Sequence, residues 1–327
     1  MTSPTSPSHA APAAATSAAT PWRSVIGAAV GLAALLTVLL AAFAWPASEY
    51  EPRDFPLAVA GPPDATAGIE QRLAATLGED AIDVTTVADR AAAVAAIEDR
   101  SAYGALVVGA GSTEVLTATG AGAAPAQFVT QVGTQVAGAT GSAPTVTDVV
   151  PTADGDPRGS VFAAGALPLA IGGILIGAVT SLALPRIRDR LLAAALAAAL
   201  GALGLAALLQ FGLDAVAGSY AANAGVIALG VLAVALPIIG LRHLIGPAGI
   251  GVVALAVMLI GNPLSGVATS PHLIPLGSLG QLFPPGAVGS ALRSTSYFDG
   301  AGALAPVLVL CTWAVAGLGL ALLPRKE

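Results

Sequence analysis

Charge is scarce in this chain. Asp, Glu, Lys and Arg make up 10% of its 327 residues, against roughly 25% in an ordinary soluble domain. So little charge cannot coat a folded surface in water, which excludes both a cytosolic enzyme of the usual kind and a disordered chain. The net charge of −6 argues against a phosphate-backbone partner, so no nucleic acid is expected. Cysteine is nearly absent: Cys311 stands alone, with no partner for an intrachain disulfide and no companions for a zinc site. The three histidines, His9, His243 and His272, fall in separate segments without metal-ligand spacing. The one lysine is Lys326, so no Gly-x-x-x-x-Gly-Lys-Ser/Thr phosphate loop can be built. No Gly-x-Ser-x-Gly elbow is present, and Gly109-Ala110-Gly111 is a lone Gly-x-Gly better suited to a tight turn. No enzyme, cofactor or metal is expected.

What the chain has in abundance is apolar length. Residues of the AVILMFWYC set make up 55%, with a mean hydropathy of +0.82. A bilayer core about 30 Å thick takes about 20 apolar residues of helix. Six stretches approach that, at 24–45, 161–184, 191–211, 222–241, 248–268 and 304–323, the fifth broken by Asn262-Pro263. Arg23, Arg186, Arg188, Arg190, Arg242, Arg325 and Lys326 fall on one side if the amino terminus is inside, which matches the positive-inside pattern. Both termini are then cytoplasmic, and the chain is a multi-pass protein of the cell membrane. Ala42-Phe43-Ala44 resembles a signal-peptide cleavage site, but the run before it exceeds a secretory apolar core, which favours an uncleaved anchor.

The expected fold is a mainly α membrane protein of six transmembrane helices, with a small α/β extracytoplasmic domain between the first and second. Residues 1–23 form a disordered cytoplasmic tail, 24–45 the first span, 46–160 the α/β domain and 161–327 a five-helix domain. The α/β segment holds fifteen of the nineteen acids and five arginines. Its strand and helix signals alternate as β-α-β-α-β-β-α-β. Strands are expected at 55–60, 82–87, 103–108, 114–119 and 146–150; Ile69, Leu73 and Leu77 mark one helix face, Asp89 caps the next helix, and Phe128, Val132 and Val136 mark a third. Asp148, Asp154 and Asp156 are a weak candidate for a cation. Between the last two spans, 262–303 is too apolar for a loop and too rich in proline for a span, so a re-entrant or interfacial segment is expected.

Polar residues at membrane depth need a reason to be there. Gln210, Asp214, Asn223 and Asn262 are candidate pathway residues, with helix-end solvation as the alternative. Pro284, Pro285, Gly286, Arg293, Tyr297, Phe298 and Asp299 form a candidate outer mouth, in which Arg293 and Asp299 could pair across a turn. Gly173 and Gly177 are spaced for close helix contact.

Three short motifs carry a family resemblance: Phe55-Pro56-Leu57-Ala58-Val59-Ala60, the run 92–100 followed by Tyr103-Gly104-Ala105-Leu106-Val107-Val108, and Pro284-Pro285-Gly286 through Tyr297-Phe298-Asp299-Gly300. With one anchor, a large outer domain and five further spans, the chain resembles ABC-2-type exporter permeases and phage-infection-protein-like membrane proteins. The resemblance implies a homodimeric or heterodimeric permease that exports a lipid-like, drug-like or polymeric substrate with energy from a separate cytoplasmic ATPase. Arg186, Arg188 and Arg190 are then the candidate docking residues, with topology-setting charge as their other reading. The chain departs from the family plan in lacking an amphipathic helix before Trp22 and in the short loop 185–190. The alternative is a non-transporting surface receptor or secretion-accessory protein acting through its outer domain.

Overall fold

The computed structural model describes residues 21–109, 111–139, 141 and 143–324. The expected tail up to residue 20, and Arg325 and Lys326, lie outside the described residues. The chain divides into two compact units, Met1–Ala41 and Ala42–Glu327. The first is described from residue 21, and helix α1 spans Trp22–Ser48. α1 carries Val25, Ile26, Val30, Leu36 and Leu40 exposed, as a helix does when lipid is its solvent.

The architecture is mostly helical and that of a multi-pass membrane protein, with a small sheet. Among the described residues five helices are long and apolar enough to cross a membrane: Trp22–Ser48, Ser160–Ala183, Ile187–Gly212, Tyr220–Ile245 and Leu304–Leu322. The fifth expected stretch forms a shorter apolar helix, Ala248–Gly261. At 1.5 Å per residue it reaches only about 21 Å. Its last turns are π-helical, and it gives way at Asn262-Pro263, where proline has no N–H to continue the ladder.

In chain order the α/β part comprises β1 (Phe55–Ala60), α2 (Pro63–Leu77), β2 (Ile82–Val87), α3 (Arg90–Glu98), β3 (Gly104–Gly109), β4 (Ser112–Thr117), α4 (Ala123–Ala139) and β5 (Pro144–Asp148). β1 and β2 occupy the expected residues. β3 is shifted by one residue from the expected span, and β4 and β5 each begin two residues earlier than expected, β4 because Gly109 already pairs with Ser112 and β5 because its parallel pairing with β4 starts at Pro144. Asp89 caps α3 as expected, accepting from the Ala92 amide at 2.9 Å. The strands form one sheet in the order β2-β1-β3-β4-β5, antiparallel only between β3 and β4. Side chains alternate in period two. Phe55, Leu57, Val59, Leu106 and Val115 face α2 and α4, while Ala58, Ala60, Ala105 and Leu116 face α3. The alanines on that second face leave room for a close-packed cover.

Helix α5 (Ser160–Ala183), α6 (Ile187–Ala207, continued by a π turn to Gly212), α7 (Tyr220–Ile245) and α8 (Ala248–Leu255) follow. Then come α9 (Gly277–Gly280), α10 (Pro284–Tyr297) and α11 (Leu304–Leu322). α7 is the hub: 67% of its apolar window is enclosed, against 22% for α5, α6 and α11. Gly173 and Gly177 are where α5 meets it. A Cβ on Gly173 would lie 2.8 Å from Val234 Cβ, and one on Gly177 would lie 2.9 Å from Ile238 Cβ. Gly317 of α11 meets the backbone at Leu236 and Pro237. These contacts place α5, α7 and α11 side by side in one direction. α6 runs the other way, with Ala194 beside Ile239 and Ala202 and Ala206 in the cluster of Ala224 and Ile227. α8 also runs back along α7, from Gly249 against Leu241 to Val257 in the cluster of Val234.

Candidate functional site

The sheet is not finished by its own segment. The chain between α8 and α11 supplies a side chain to each of its faces. Leu273, fully buried, joins Phe55, Ile69, Val115 and Val129 on one side. Phe298, 6% exposed, joins Ala58, Ala93, Ile97 and Leu116 on the other. Hydrogen bonds latch the first of these: the Arg53 amide donates to the His272 carbonyl at 2.9 Å, and the His272 side chain places Nδ1 3.2 Å from the Arg53 carbonyl. The His272 ring packs edge-on against Tyr103, centroids 5.6 Å apart. On the second face, the Arg100 guanidinium lies 5.2 Å above the Phe298 ring and donates to the Ser290 carbonyl at 3.0 Å and to Ser294 Oγ. Burial holds Arg100 below the ordinary guanidinium value.

α10 is thus a buried helix wedged between the sheet and α5, α7 and α11. Pro284 and Pro285 occupy its first turn, where a missing N–H costs nothing. The expected outer-mouth residues therefore belong to one packed helix and its C-terminal turn. A Cβ on Gly286 would come within 2.4 Å of the Gly280 carbonyl, so that position admits only glycine. The Tyr297 hydroxyl donates to the Ala215 carbonyl at 2.6 Å.

The expected pairing of Arg293 with Asp299 does not form. Arg293 points into the protein from the body of α10, 8% exposed, while Asp299 lies past the helix end at φ 49°, exposed to solvent. Ion pairs form elsewhere, as at Arg53–Glu51 and Arg90–Glu114. Arg293 instead donates Nη2 to the Val267 carbonyl at 3.2 Å and stacks over Phe162 at 4.7 Å.

Two of the four polar candidates come together. Asn223, fully buried, donates to Gln210 Oε1 at 3.3 Å and to the Ala217 carbonyl at 2.8 Å. Its own carbonyl accepts from Thr295 Oγ1 at 2.7 Å and Ser296 Oγ at 3.3 Å. Gln210 also donates to the Gly218 carbonyl at 2.9 Å. This network ties α6, the loop after it, α7 and α10 together. Asp214 is exposed on that loop, and its backbone carbonyl accepts from the Gly155 amide. Asn262 lies apart, its carbonyl accepting from Ser265 Oγ. The role observed for Gln210 and Asn223 is helix-to-helix hydrogen bonding.

At the far end of the bundle, Arg186 and Arg188 are exposed. Arg190 Nε caps α5 by donating to the Leu184 carbonyl at 2.7 Å. Of the three acids proposed for a cation, Asp156 is buried and accepts from Ser160 N, Ser160 Oγ and Phe162 N, so it caps α5. Asp148 accepts from Thr119 N and Thr119 Oγ1. No cluster of three His, Cys, Asp or Glu suited to a metal occurs among the described residues.

Two residues with central roles, Leu273 and Phe298, gave no sequence signal for those roles. Each is one apolar residue in a proline-rich stretch, and only the fold shows the socket it enters. No family model, no curated protein and no solved structure matches this chain.

Proposed function

We propose that this protein is a permease subunit of an ABC-2-like exporter, moving a lipid-like, drug-like or polymeric substrate outward with energy from a separate cytoplasmic ATPase. The observation that carries the reading is the interlock. A receptor module can sit on a stalk, but here the sheet core is closed by Leu273 and Phe298 from between the membrane helices. Movement of the helices is therefore felt by the sheet domain, as a transport cycle requires. The spans carry no visible chain of acids or histidines for ion-driven work, so the driving force comes from a partner.

In this reading six crossings place both termini in the cytoplasm. The helix Ala248–Gly261 with the segment after it makes the return from the C-terminal end of α7 to the N-terminal end of α11. Arg186, Arg188 and Arg242 then mark the cytoplasmic face, as the positive-inside pattern asks, and Arg186 and Arg188 are free to meet the ATPase. The α/β domain faces outward from the plasma membrane, and two such subunits form the working permease.

Purification of the full-length protein in mild detergent tests this. A nucleotide-hydrolysing partner should co-purify and be stimulated by it, and Arg186→Glu with Arg188→Glu should weaken the association. Repeated recovery with no ATPase sinks the permease and leaves a receptor or secretion-accessory role. Cysteine labelling that places 186–190 outside overturns the topology.

A further inference from the structure

Arg293 is a buried charge with little to answer it. It is more than nine-tenths buried, yet its guanidinium spends one N–H on the Val267 carbonyl and its face on Phe162. A guanidinium has five N–H donors in a rigid fork suited to an oxygen anion. No described acid pairs with it, and the other charge that it feels through the protein is Arg100, which has the same sign. A buried charge left in this state is costly. The cation–π contact offsets only part of that cost.

Arg293 lines a cavity of about 230 Å³ between the sheet domain and the start of α5. Arg158, exposed, stands at its rim, and its walls include Gly120, Thr152, Ala163 and Tyr297. Its lining holds no carboxylate. Asp156 and Asp148, in segments that border it, are already engaged, the first by the first turn of α5 and the second by Thr119. A second cavity of about 230 Å³ adjoins it, sharing Ala163, Val267 and Ala268 as a common wall. That second cavity is mainly apolar, bounded by Ala166, Leu167, Pro263 and Ile274. A buried cation with unspent donors thus stands beside a mainly apolar trough that shares part of its wall.

We infer that this pair of cavities binds an anionic amphiphile, its singly charged oxygen head against Arg293 and its hydrocarbon tail in the trough behind Ala163. A soluble anion uses only half of the arrangement, and a neutral lipid leaves Arg293 unanswered. Binding does not require transport. Identifying the amphiphile as cargo would rest on the permease reading; occupancy of the site does not.

The test uses full-length protein in nanodiscs of phosphatidylcholine carrying a minor fraction of phosphatidylglycerol, with bound lipid counted by native mass spectrometry after release into detergent. The wild type should retain phosphatidylglycerol over phosphatidylcholine. Arg293→Gln should weaken that preference about 10- to 100-fold, the scale of one lost charge-assisted contact. Ala163→Phe, which fills the shared wall and leaves the charge in place, should do the same, and it keeps the test decisive if Arg293→Gln fails to fold. Equal retention of the two lipids, or undiminished preference in Ala163→Phe, overturns the inference. Saturation by inorganic phosphate with no lipid bound also overturns it, in favour of a free-anion site. Failure of ATPase co-purification, with this preference intact, removes the permease and leaves the lipid site standing.

Discussion

Replacing Phe298 by alanine separates a sheet domain that merely follows α1 from one that depends on the membrane helices for its core. The ring is 6% exposed and packs among Ala58, Ala93, Ile97 and Leu116, all from the sheet segment. Truncating a buried phenylalanine costs about 3–5 kcal/mol. Removing the ring from beneath Arg100 adds about 0.5–2 kcal/mol, since that cation then lies over a void. A loss of about 4 kcal/mol is nearly three decades in an opening equilibrium. Amide hydrogen exchange in detergent reads it directly, because amides that open with a cooperative unit share its stability. The amides of Val59, Ala60, Ala96 and Ile97, more than 190 residues away in sequence, should lose protection about 1000-fold. If they keep it while only residues 298–303 loosen, Phe298 is a surface anchor and the interlock argument fails.

Valine at Gly173 must push into Val234 Cβ, 2.8 Å from where its own Cβ would stand, whereas at Gly172 nothing lies within 4 Å. The first substitution should therefore cost about 1–3 kcal/mol of thermal stability in detergent and the second almost none; equal effects would remove the α5–α7 contact from the account. Asn223→Leu strips the partners of Gln210, Ala217, Thr295 and Ser296, although Thr295 keeps a fallback on the Leu292 carbonyl at 3.2 Å. Hydrogen bonds between membrane helices average about 0.6 kcal/mol, so the set is worth about 2 kcal/mol, and an unchanged melting temperature would refute its role. Arg90 and Thr147 hold Glu114 as a carboxylate, with Arg90 Nε and Nη2 each 2.9 Å from its oxygens, and its pKa is lowered mainly by the Arg90 hydrogen bond. A depressed folded value means the stabilisation is present above the unfolded carboxylate pKa and is lost as pH falls through the folded one. Acid unfolding of the sheet domain should thus begin at higher pH in Arg90→Gln than in the wild type, modestly so because the pair is half exposed.

The legible parts of this fold are those whose physics is local. Hydropathy over 20 residues locates helices in lipid, and period-two alternation together with Asp89 places β1, β2 and α3. Gly173 and Gly177 were readable because residues four apart share one helix face. The illegible parts are meetings between distant segments. Pro284-Pro285 looked like an interruption because proline breaks a helix interior, yet the same residues start one. Arg293 and Asp299 are close in sequence and opposite in charge, but the helix end intervenes and turns Asp299 to solvent. Gln210 and Asn223 were singled out one by one as costly polar groups; that each is the other's partner follows only from the antiparallel packing of α6 on α7. Leu273 and Phe298 are the extreme case, since a lone apolar residue has no pattern until its socket exists.

The two plugs also restrict how the protein can move. α10 packs on α5, α7 and α11 while its C-terminal turn holds Phe298 in the sheet. Leu273, upstream of α10, holds the opposite face. Opening the bundle along α10 therefore has two courses. It can withdraw a plug, at about 3–5 kcal/mol for Phe298, or it can carry the sheet domain and α10 together as one body against α7. The second course breaks no core packing in the sheet domain. What it must break is the polar set around Asn223, whose bonds to Thr295 and Ser296 are worth about 0.6 kcal/mol each, together with the apolar packing of Ala287, Val288, Ala291 and Leu292 against Val226 and Ile227 of α7. Val288, seated beside Gly230, makes that seam close-packed. Both courses therefore break buried apolar packing, so α10 ties the sheet domain to the bundle whichever way the helices part.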